Sequence, residues 1–273
     1  MSVTSPSFST ASLLALPRRS VGNFRQTFRI VMARLAVPRE VHAPAQWLIW
    51  AGVWLLAAIA AFLYLDRIAG ADTRFLPGSF VGIADFFTNF GLGGWYLVPA
   101  ALWLVIANLT DWRSLSRRTL VIFYGWTCVA SLVLAGMALS ALVANVLKYG
   151  IGRARPQLFD EFGVLSLHPF TTQARFASFP SGHATTMGVM FCIVLTVFPR
   201  QKYIALAFAV WVALTRIFVG AHYPSDTVAG FGLGFACAVL MALVFARLGF
   251  IFSAPGPGLP KRKKAFRLTF GNR

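Results

Sequence analysis

The amino-acid sequence predicts an all-α fold, a polytopic membrane helix bundle with six transmembrane helices and both termini in the cytoplasm. Three observations lead to this prediction. The chain of 273 residues is 58% hydrophobic and only 12% charged, whereas soluble domains are about 25% charged. Six apolar segments approach the roughly 20 residues that a helix needs to cross a bilayer. Basic residues recur in alternate loops, which is the pattern of a chain that crosses the membrane repeatedly.

The spans divide the chain into three parts. Residues 1–46 form a basic cytoplasmic N-terminal segment, residues 47–252 form the membrane domain, and residues 253–273 form a flexible basic cytoplasmic tail. The predicted spans are Trp47–Leu65, Gly93–Leu109, Leu120–Leu147, His183–Phe198, Tyr203–Val219 and Thr227–Phe252. These segments lack the apolar–polar alternation of a membrane β-barrel, so we interpret them as helices.

The distribution of basic residues sets the predicted orientation. The first 46 residues carry six arginines against one glutamate, and the tail contains the run KRKK at residues 261–264. The short loops after the second and fourth spans are basic as well. With these segments in the cytoplasm, the loops 66–92, 148–182 and 220–226 lie on the other side of the membrane.

Charge and cysteine content exclude several classes of function. The net charge of +17 fits membrane topology and an anionic ligand better than nucleic acid, because the sequence has no zinc-finger, RNP or heptad pattern. The three cysteines, Cys128, Cys192 and Cys237, all lie inside apolar runs. We therefore interpret them as core residues and expect neither disulfides nor a cysteine-bound metal.

Most of the remaining polarity is concentrated in three short segments. They are KYGIGRARP (Lys148–Pro156), PSGH (Pro180–His183) and TRIFVGAHYPSD (Thr215–Asp226). Each segment lies at the non-cytoplasmic end of a predicted span. Three stretches that are distant in sequence are therefore expected to meet at one membrane surface.

The first chemistry that these residues suggest is the binding of an oxyanion. Lys148, Arg155 and Arg216 supply up to three positive charges, and arginine makes bidentate contacts to phosphate oxygens. Gly182 lets a ligand approach the backbone at the start of a helix, where N–H groups are unpaired. Each residue alone also fits an ordinary structural role; Ser181, for example, is a good helix cap. Their convergence favours the anion site.

Two histidines add the groups that hydrolysis of a phosphate ester requires, a nucleophile and an acid for the leaving group. Asp226 follows His222 by four residues, and the intervening proline places it in the first turn of the next helix. From there it can orient one nitrogen of His222 and leave the other to attack, while His183 donates the proton. A metal site is disfavoured, because three cations surround the histidines and no HExxH motif is present.

The three segments match a tripartite signature, and the chain resembles the type 2 phosphatidic acid phosphatase and vanadium haloperoxidase superfamily. The first motif, Lys-x6-Arg-Pro, is met by Lys148, Arg155 and Pro156; the second by Pro180, Ser181, Gly182 and His183; the third by Arg216, His222 and Asp226, with Thr215 in place of the usual serine. The motifs span residues 148–226. The first 140 residues match only in general architecture.

The resemblance implies a metal-free lipid phosphatase that needs no cofactor and works through a phosphohistidine. It assigns the nucleophile to His222, assistance to Asp226 and protonation of the leaving group to His183. It assigns phosphate binding to Lys148, Arg155, Ser181, Gly182 and Arg216. Arg153 matches no motif position and is interpreted as an extra substrate contact or a loop charge. His42 and His168 also match nothing and are expected to be solvated.

Six predicted spans place the chain with the membrane phosphatases rather than with the soluble haloperoxidases. Its partners would be a lipid phosphate and the bilayer, and the sequence leaves the oligomeric state open. Undecaprenyl diphosphate, lipid A, phosphatidylglycerol phosphate and phosphatidic acid all fit as substrates. An outward-facing site favours the first two, in a bacterial plasma (inner) membrane. The alternative is a non-enzymatic phosphate- or lipid-binding transporter, which would need the cations but not His222 beside Asp226.

Overall fold

Helices make up most of the computed structural model, which describes residues 16–37, 39, 41, 46–254, 256 and 258–266. The α-helices are α1 Leu16–Leu35, α2 Trp47–Tyr64, α3 Asp66–Asp72, α4 Gly78–Thr88, α5 Gly94–Leu109, α6 Arg117–Ile151, α7 Phe159–Phe162, α8 Gly182–Val197, α9 Lys202–Phe218 and α10 Pro224–Arg247. Short 3-10 turns cover Thr73–Phe75, Asn89–Gly91, Trp112–Ser114, Pro156–Leu158, Ala174–Phe176 and Pro199–Gln201. Two strands, β1 Phe252–Ser253 and β2 Lys261–Arg262, pair antiparallel.

Each predicted span corresponds to a helix. Within the described residues, five helical segments are long and apolar enough to cross a membrane: Trp47–Tyr64, Gly78–Leu109, Arg117–Ile151, Pro199–Phe218 and Pro224–Arg247. The remaining one, α8, is apolar but has only 16 residues. The structure is therefore a mainly helical membrane protein with five candidate spans.

The predicted loop 66–92 is largely helical, which corrects the sequence interpretation. It contains α3 and α4, and α4 continues through a 3-10 turn into α5. Aromatic contacts hold α4 against α9: the ring centroids of Phe80 and Phe218 lie 5.1 Å apart, and those of Phe87 and Trp211 lie 6.0 Å apart. Contacts with a helix more than 100 residues away stabilise α4, so its own sequence signals it only weakly.

The longest helix, α6, begins at a serine cap and ends at a left-handed glycine. The Ser116 hydroxyl accepts a hydrogen bond from the Thr119 amide, and Gly152 follows the helix with φ of 63°. A side chain at Gly152 would stand 1.8 Å from the His168 carbonyl oxygen, so both the backbone conformation and the space require glycine. This turn fixes where the chain leaves the helix, one turn after Lys148.

Close contact between α8 and α10 forms the centre of the bundle. A Cβ atom at Gly234 would lie 1.9 Å from the Thr185 carbonyl oxygen, and one at Gly188 would lie 2.0 Å from the Phe231 carbonyl oxygen. Small residues allow two helix backbones to approach in this way, which is the usual basis of helix association in membranes. The three cysteines are free and buried, as predicted from their apolar surroundings.

The described parts of both terminal segments contact the bundle. Helix α1 occupies much of the N-terminal segment that the sequence marks only as basic. In the described part of the tail, β1 pairs with β2 and the Lys263 ammonium donates to the Gly249 carbonyl oxygen at 3.1 Å; the predicted flexibility of the tail stays a prediction. The Phe266 ring packs 5.5 Å from that of Tyr124. These contacts return the chain to the end of the bundle.

Candidate active site

Four helix ends meet at one side of the bundle and carry the predicted site residues. Lys148 lies in the last turn of α6, and Arg216 lies in the last turn of α9. Ser181 precedes α8, and Asp226 lies in the first turn of α10, as predicted. Each of the eight predicted residues lies within electrostatic, hydrogen-bonding or contact range of at least one other.

The first motif places two cations along a folded-back loop. The Lys148 ammonium donates to the Ala177 carbonyl oxygen at 3.3 Å. The Arg155 backbone amide donates to Arg175, and its Nε donates to the Ala174 carbonyl oxygen at 2.9 Å. These bonds use part of each cation's donor set and hold both groups beside the second motif.

The second motif forms the start of α8 in the geometry expected of an anion site. The Ser181 hydroxyl accepts from the Ala184 amide at 3.5 Å, and the Ser181 amide donates to the Asp226 carbonyl oxygen at 3.0 Å. Within the described chain, the amides of Gly182 and His183 have no acceptor. A Cβ at Gly182 would lie 4.0 Å from the Lys148 nitrogen and near no other atom, so the start of α8 adjoins open space and a cation.

The third motif is a helix end followed by a turn that closes on itself. The amides of Ala221 and His222 both donate to the Arg216 carbonyl oxygen at 3.1 Å, and Gly220 adopts a φ of 64°. This closure explains the fixed spacing between the arginine and the histidine. The Arg216 Nη1 donates to the Thr88 hydroxyl at 2.8 Å, so α4 positions this cation.

The structure corrects how His222 is held. Its Nδ1 lies 2.7 Å from the Ser178 carbonyl oxygen but 3.8 Å from the Asp226 carboxylate, so the direct partner is Ser178. A carbonyl oxygen can only accept, and Nδ1 must therefore carry the proton. This tautomer leaves Nε2 with a free lone pair. The Ser178 hydroxyl donates to Asp226 at 2.6 Å and links the two residues.

Arg153 is neither a substrate contact nor a loop charge. Its guanidinium is buried and donates to Asp226 at 2.5 Å and to Asp66 at 2.8 Å. Asp66 was placed among the loop charges by the sequence, yet it is fully buried. Sequence reasoning missed Asp66, Arg153 and Ser178 as parts of the site. The available signal was an arginine inside the first motif and a serine just before the second.

The electrostatics of the site favour a neutral His222 and a bound anion. Burial lowers the pKa of His222 from 6.5 to about 4; Asp226 opposes the shift, and Lys148 and Arg155 add to it. Burial also lowers the pKa of the Arg155 guanidinium, which Asp226 partly offsets. Among the described buried side chains, the Arg216 Nε is the polar atom left without a partner. A phosphate group would satisfy it.

The remaining sequence predictions lie around this site. His168 is half-buried rather than fully solvated, since its ring packs 4.1 Å from Phe176 and its Nε2 lies 3.0 Å from the Ser166 hydroxyl. His42 lies outside the described residues. The Thr215 hydroxyl donates to the Val212 carbonyl oxygen of its own helix. No group of three potential metal ligands occurs in the described part of the chain, and a metal-free reaction stays a prediction.

A cavity of about 130 Å³ extends from the predicted phosphate site into the bundle. Lys148 and Gly182 form its border with the site, and its walls come from α5, α6 and α8. The lining is mixed, with Leu97, Met137, Ala141 and Ala144 beside the polar side chains of Ser140, Asn145, Thr185 and Thr186. Such a space can hold the part of a substrate that adjoins its phosphate.

Comparisons with known proteins agree with this geometry. A sequence model of the PAP2 superfamily matches residues 129–250. The chain is 35% identical to the lipid A 1-phosphatase of Rhizobium johnstonii, over 82% of this chain and 91% of that protein. It is 34% identical to the lipid A 1-phosphatase of Rhizobium etli, over 82% and 95% of the two chains.

Two further matches are weaker. An undecaprenyl-diphosphatase of Sulfolobus acidocaldarius is 34% identical over 40% of this chain and 50% of that protein. The crystal structure of a transmembrane PAP2-type phosphatidylglycerolphosphate phosphatase from Bacillus subtilis aligns with a TM-score of 0.43 and 20% identity, covering 82% of this chain and 94% of that one. A likeness at that level carries no argument about the site.

Proposed function

The chain belongs to the PAP2 superfamily and is a membrane lipid phosphatase, and on this basis we propose that it removes the 1-phosphate of a lipid A-type saccharolipid. The observation that carries the mechanism is the hydrogen bond from His222 Nδ1 to Ser178, which leaves Nε2 as the nucleophilic atom. Three cations and two free amides surround the place where the phosphate binds. The reaction uses no metal ion.

In the first step, His222 Nε2 attacks phosphorus. The N–P bond forms while the P–O bond to the lipid breaks, and His183 delivers a proton to the departing oxygen. The phosphate dianion brings negative charge beside His183 and favours the imidazolium that donates. Asp226, 3.8 Å from Nδ1, stabilises the positive charge that develops on the ring of His222.

In the second step, water attacks the phosphohistidine. His183, now neutral, accepts a proton from that water, and the P–N bond breaks to return its electron pair to Nε2. Lys148, Arg155 and Arg216 stabilise the charge on the phosphoryl oxygens in both steps. The Ser181 hydroxyl and the Gly182 amide complete the phosphate site at the start of α8.

The choice of lipid A rests on the two Rhizobium relatives, since their names state this activity and the match covers most of each chain. Undecaprenyl diphosphate, named for a relative that matches a smaller part of the chain, is the substrate to test against it.

The proposal includes an orientation in the membrane. Helix α8 acts as a sixth, short span, both termini lie in the cytoplasm, and the site faces the periplasm from the inner membrane. The loop charges support this orientation, because the basic N-terminal segment, the loops after the second and fourth predicted spans and the run KRKK all fall on the side away from the site. In this arrangement residues 1–46 and 253–273 flank a phosphatase domain of residues 47–252.

The test is phosphate release by the purified protein in detergent from four lipids: lipid A, undecaprenyl diphosphate, phosphatidylglycerol phosphate and phosphatidic acid. We expect lipid A to give the highest kcat/KM, with mass spectrometry locating the loss at the 1-position and EDTA leaving the rate unchanged. Faster release from another lipid would reject the substrate. Loss of activity in EDTA that added zinc or magnesium restores would reject the metal-free mechanism.

A further inference from the structure

Beneath the catalytic histidine lies a buried cluster of charges that the reaction described above does not use. Asp66 and Asp226 are fully buried, and Arg153 between them is 4% exposed. The guanidinium donates to both carboxylates, to the Ser225 hydroxyl at 2.8 Å and to the Val164 carbonyl oxygen at 3.1 Å and 3.2 Å. Its face also lies 4.4 Å from the centre of the Tyr223 ring.

Asp66 connects this cluster to the start of α10. One oxygen accepts from the Ser225 amide at 2.9 Å, and the other accepts from the Ser225 hydroxyl at 2.5 Å. Asp66, which directly follows the first span, therefore holds the start of α10 at Ser225, next to Asp226. The Arg153 carbonyl oxygen also accepts from the Ser178 amide, which fixes the residue whose carbonyl binds His222.

We infer that Asp66 and Arg153 are positioning residues for the phosphatase reaction, which hold Asp226 and Ser178 in place and set the charge felt by His222. Two carboxylates and one guanidinium leave one excess negative charge in the buried cluster. That charge lies beside the imidazole on which positive charge develops when Nε2 binds phosphorus. Neither residue contacts the phosphate site directly, so they act through Asp226 and Ser178. The inference rests on the proposed nucleophile but not on the identity of the lipid.

A purely structural role for the cluster predicts lost folding without a change in the pH profile of the reaction. Buried ion pairs are strongly destabilised when one partner is removed, so lost activity alone proves nothing. The charge on His222 gives the needed readout, since kcat/KM falls when this residue becomes protonated. Removing Arg153 leaves Asp226 uncompensated and favours the imidazolium. Neutralising Asp66 removes negative charge and favours the neutral ring.

The experiment compares Arg153→Met, Arg153→Lys and Asp66→Asn with the wild type on whichever lipid phosphate the wild type hydrolyses. Arg74→Met is the matched control, because Arg74 pairs with Asp160 at an exposed position in the same region. We expect Arg153→Met to lower kcat by roughly 10²-fold with KM unchanged, the scale of a misplaced catalytic group. Arg153→Lys should recover part of this loss, and Arg74→Met should match the wild type.

The acid limb of the profile of kcat/KM against pH decides the matter. It should move to higher pH in Arg153→Met and to lower pH in Asp66→Asn, each measured on the fraction that elutes as folded protein. If the acid limb lies at the wild-type pH in both variants, the inference is overturned, even if the yield of folded protein falls. If Arg153→Met does not fold, Asp66→Asn alone decides: an unmoved limb rejects the role. A wild type that is inactive on lipid A would reject the substrate only.

A separate observation concerns α1, which presents an unpaired apolar face. Val21, Phe24, Phe28, Met32 and Leu35 recur at helical spacing and are each between 50% and 69% exposed. Arg18, Arg25 and Arg29 lie along the adjacent face, and the described residues of α1 include no acid. A face of this kind, flanked by arginines, is typical of helices that lie in a membrane interface.

The hydrogen bonds of α1 place it at the level of the membrane surface. The Asn23 amide donates to the carbonyl oxygens of Asn108 and Thr110, at the end of α5. Arg34, three turns later, donates to the Leu248 carbonyl oxygen, at the end of α10. A helix tied to the ends of two spans runs across the bundle end rather than along it.

We also infer that α1 binds the anionic phospholipid leaflet, with its apolar face among the acyl chains and its arginines at the head groups. The test uses the full chain in nanodiscs of phosphatidylcholine alone or with phosphatidylglycerol. A polarity-sensitive fluorophore is attached at Phe28→Cys and, as the matched control on the opposite face, at Gln26→Cys. The native cysteines are buried.

The label at position 28 should be blue-shifted and protected from iodide, while the label at position 26 stays accessible to it. Protection at position 28 should strengthen with phosphatidylglycerol and weaken when Arg25 and Arg29 are replaced by glutamine. Equal iodide quenching at the two positions in both lipids would overturn the assignment. If the protection at position 28 is the same with and without phosphatidylglycerol, anionic lipid is rejected as the partner.

Discussion

At the scale of single residues, His222 combines two properties that a phosphoryl acceptor needs, a fixed tautomer and a neutral ring. The Ser178 carbonyl fixes the tautomer, and burial keeps the ring neutral. His183 lies in a different setting, in the first turn of α8, where its ring abuts Gly91. The two histidines should therefore respond differently to substitution.

Substituting each histidine by alanine separates nucleophile from acid. His222→Ala should abolish turnover and any acid-labile phosphoenzyme. His183→Ala should slow hydrolysis of the lipid by roughly 10²- to 10⁴-fold, the usual contribution of general acid catalysis. An activated aryl phosphate needs less protonation, so it should rescue His183→Ala in part and His222→Ala not at all. Turnover by His222→Ala on either substrate would show that the roles are reversed.

The pH dependence follows from the lowered pKa of His222. The neutral ring is the nucleophile, so the acid limb of kcat/KM should lie below 6.5, towards about 4. Two substrates whose phosphate groups titrate differently should share this limb, because it belongs to the free enzyme. A common limb at or above 6.5 would contradict the assignment.

The same shift affects stability. The unfolded chain binds the proton of His222 more tightly than the folded protein does. The contribution of this group is therefore complete above pH 6.5 and is lost as the pH falls through about 4.

At the scale of elements, the site depends on how closely α10 approaches α8. A Cβ at Gly230 would lie 2.5 Å from the Ser181 carbonyl oxygen, and one at Gly234 would lie 1.9 Å from that of Thr185. The helix backbones touch along this seam without intervening side chains. The same contact that holds the bundle together thus sets the distance between Ser181 and Asp226.

The seam gives a stability prediction. Gly234→Ala forces the two backbones apart and should destabilise the protein by about 1–3 kcal/mol, the usual effect of overpacking. Gly52→Ala is the matched control, because no atom lies within 4 Å of a Cβ there and alanine favours a helix. Thermal unfolding in detergent should show a lower midpoint only for Gly234→Ala. Equal unfolding midpoints for the two variants would mean that the helices move apart with little loss of stability.

At the scale of the whole molecule, features that depend on residue spacing could be predicted from the sequence. Contacts between residues far apart in the chain could not. Lys148, Arg216 and Asp226 each border an apolar run, so the meeting of helix ends could be predicted. Asp66 and Arg153 could not, because a buried ion pair between residues 87 positions apart looks like two loop charges. Helix α1 was not predicted from the basic N-terminal segment, and the pairing of β1 with β2 has no sequence signal of its own.

The orientation of the molecule in the membrane is the prediction that links the site to its substrate. Leu165 lies 70% exposed in the loop beside the site, and Arg113 is exposed in the turn between α5 and α6. The proposed orientation puts the first position in the periplasm and the second in the cytoplasm. The native cysteines are buried and should give little background labelling.

In intact spheroplasts, Leu165→Cys should therefore react with an impermeant thiol reagent, and Arg113→Cys should react only after the membrane is permeabilised. Both variants must label fully in detergent, which checks that each thiol is accessible. The opposite pattern would place the site in the cytoplasm. Since lipid phosphates of the outer leaflet could not then reach His222, that result would reject periplasmic dephosphorylation while leaving the chemistry of the site intact.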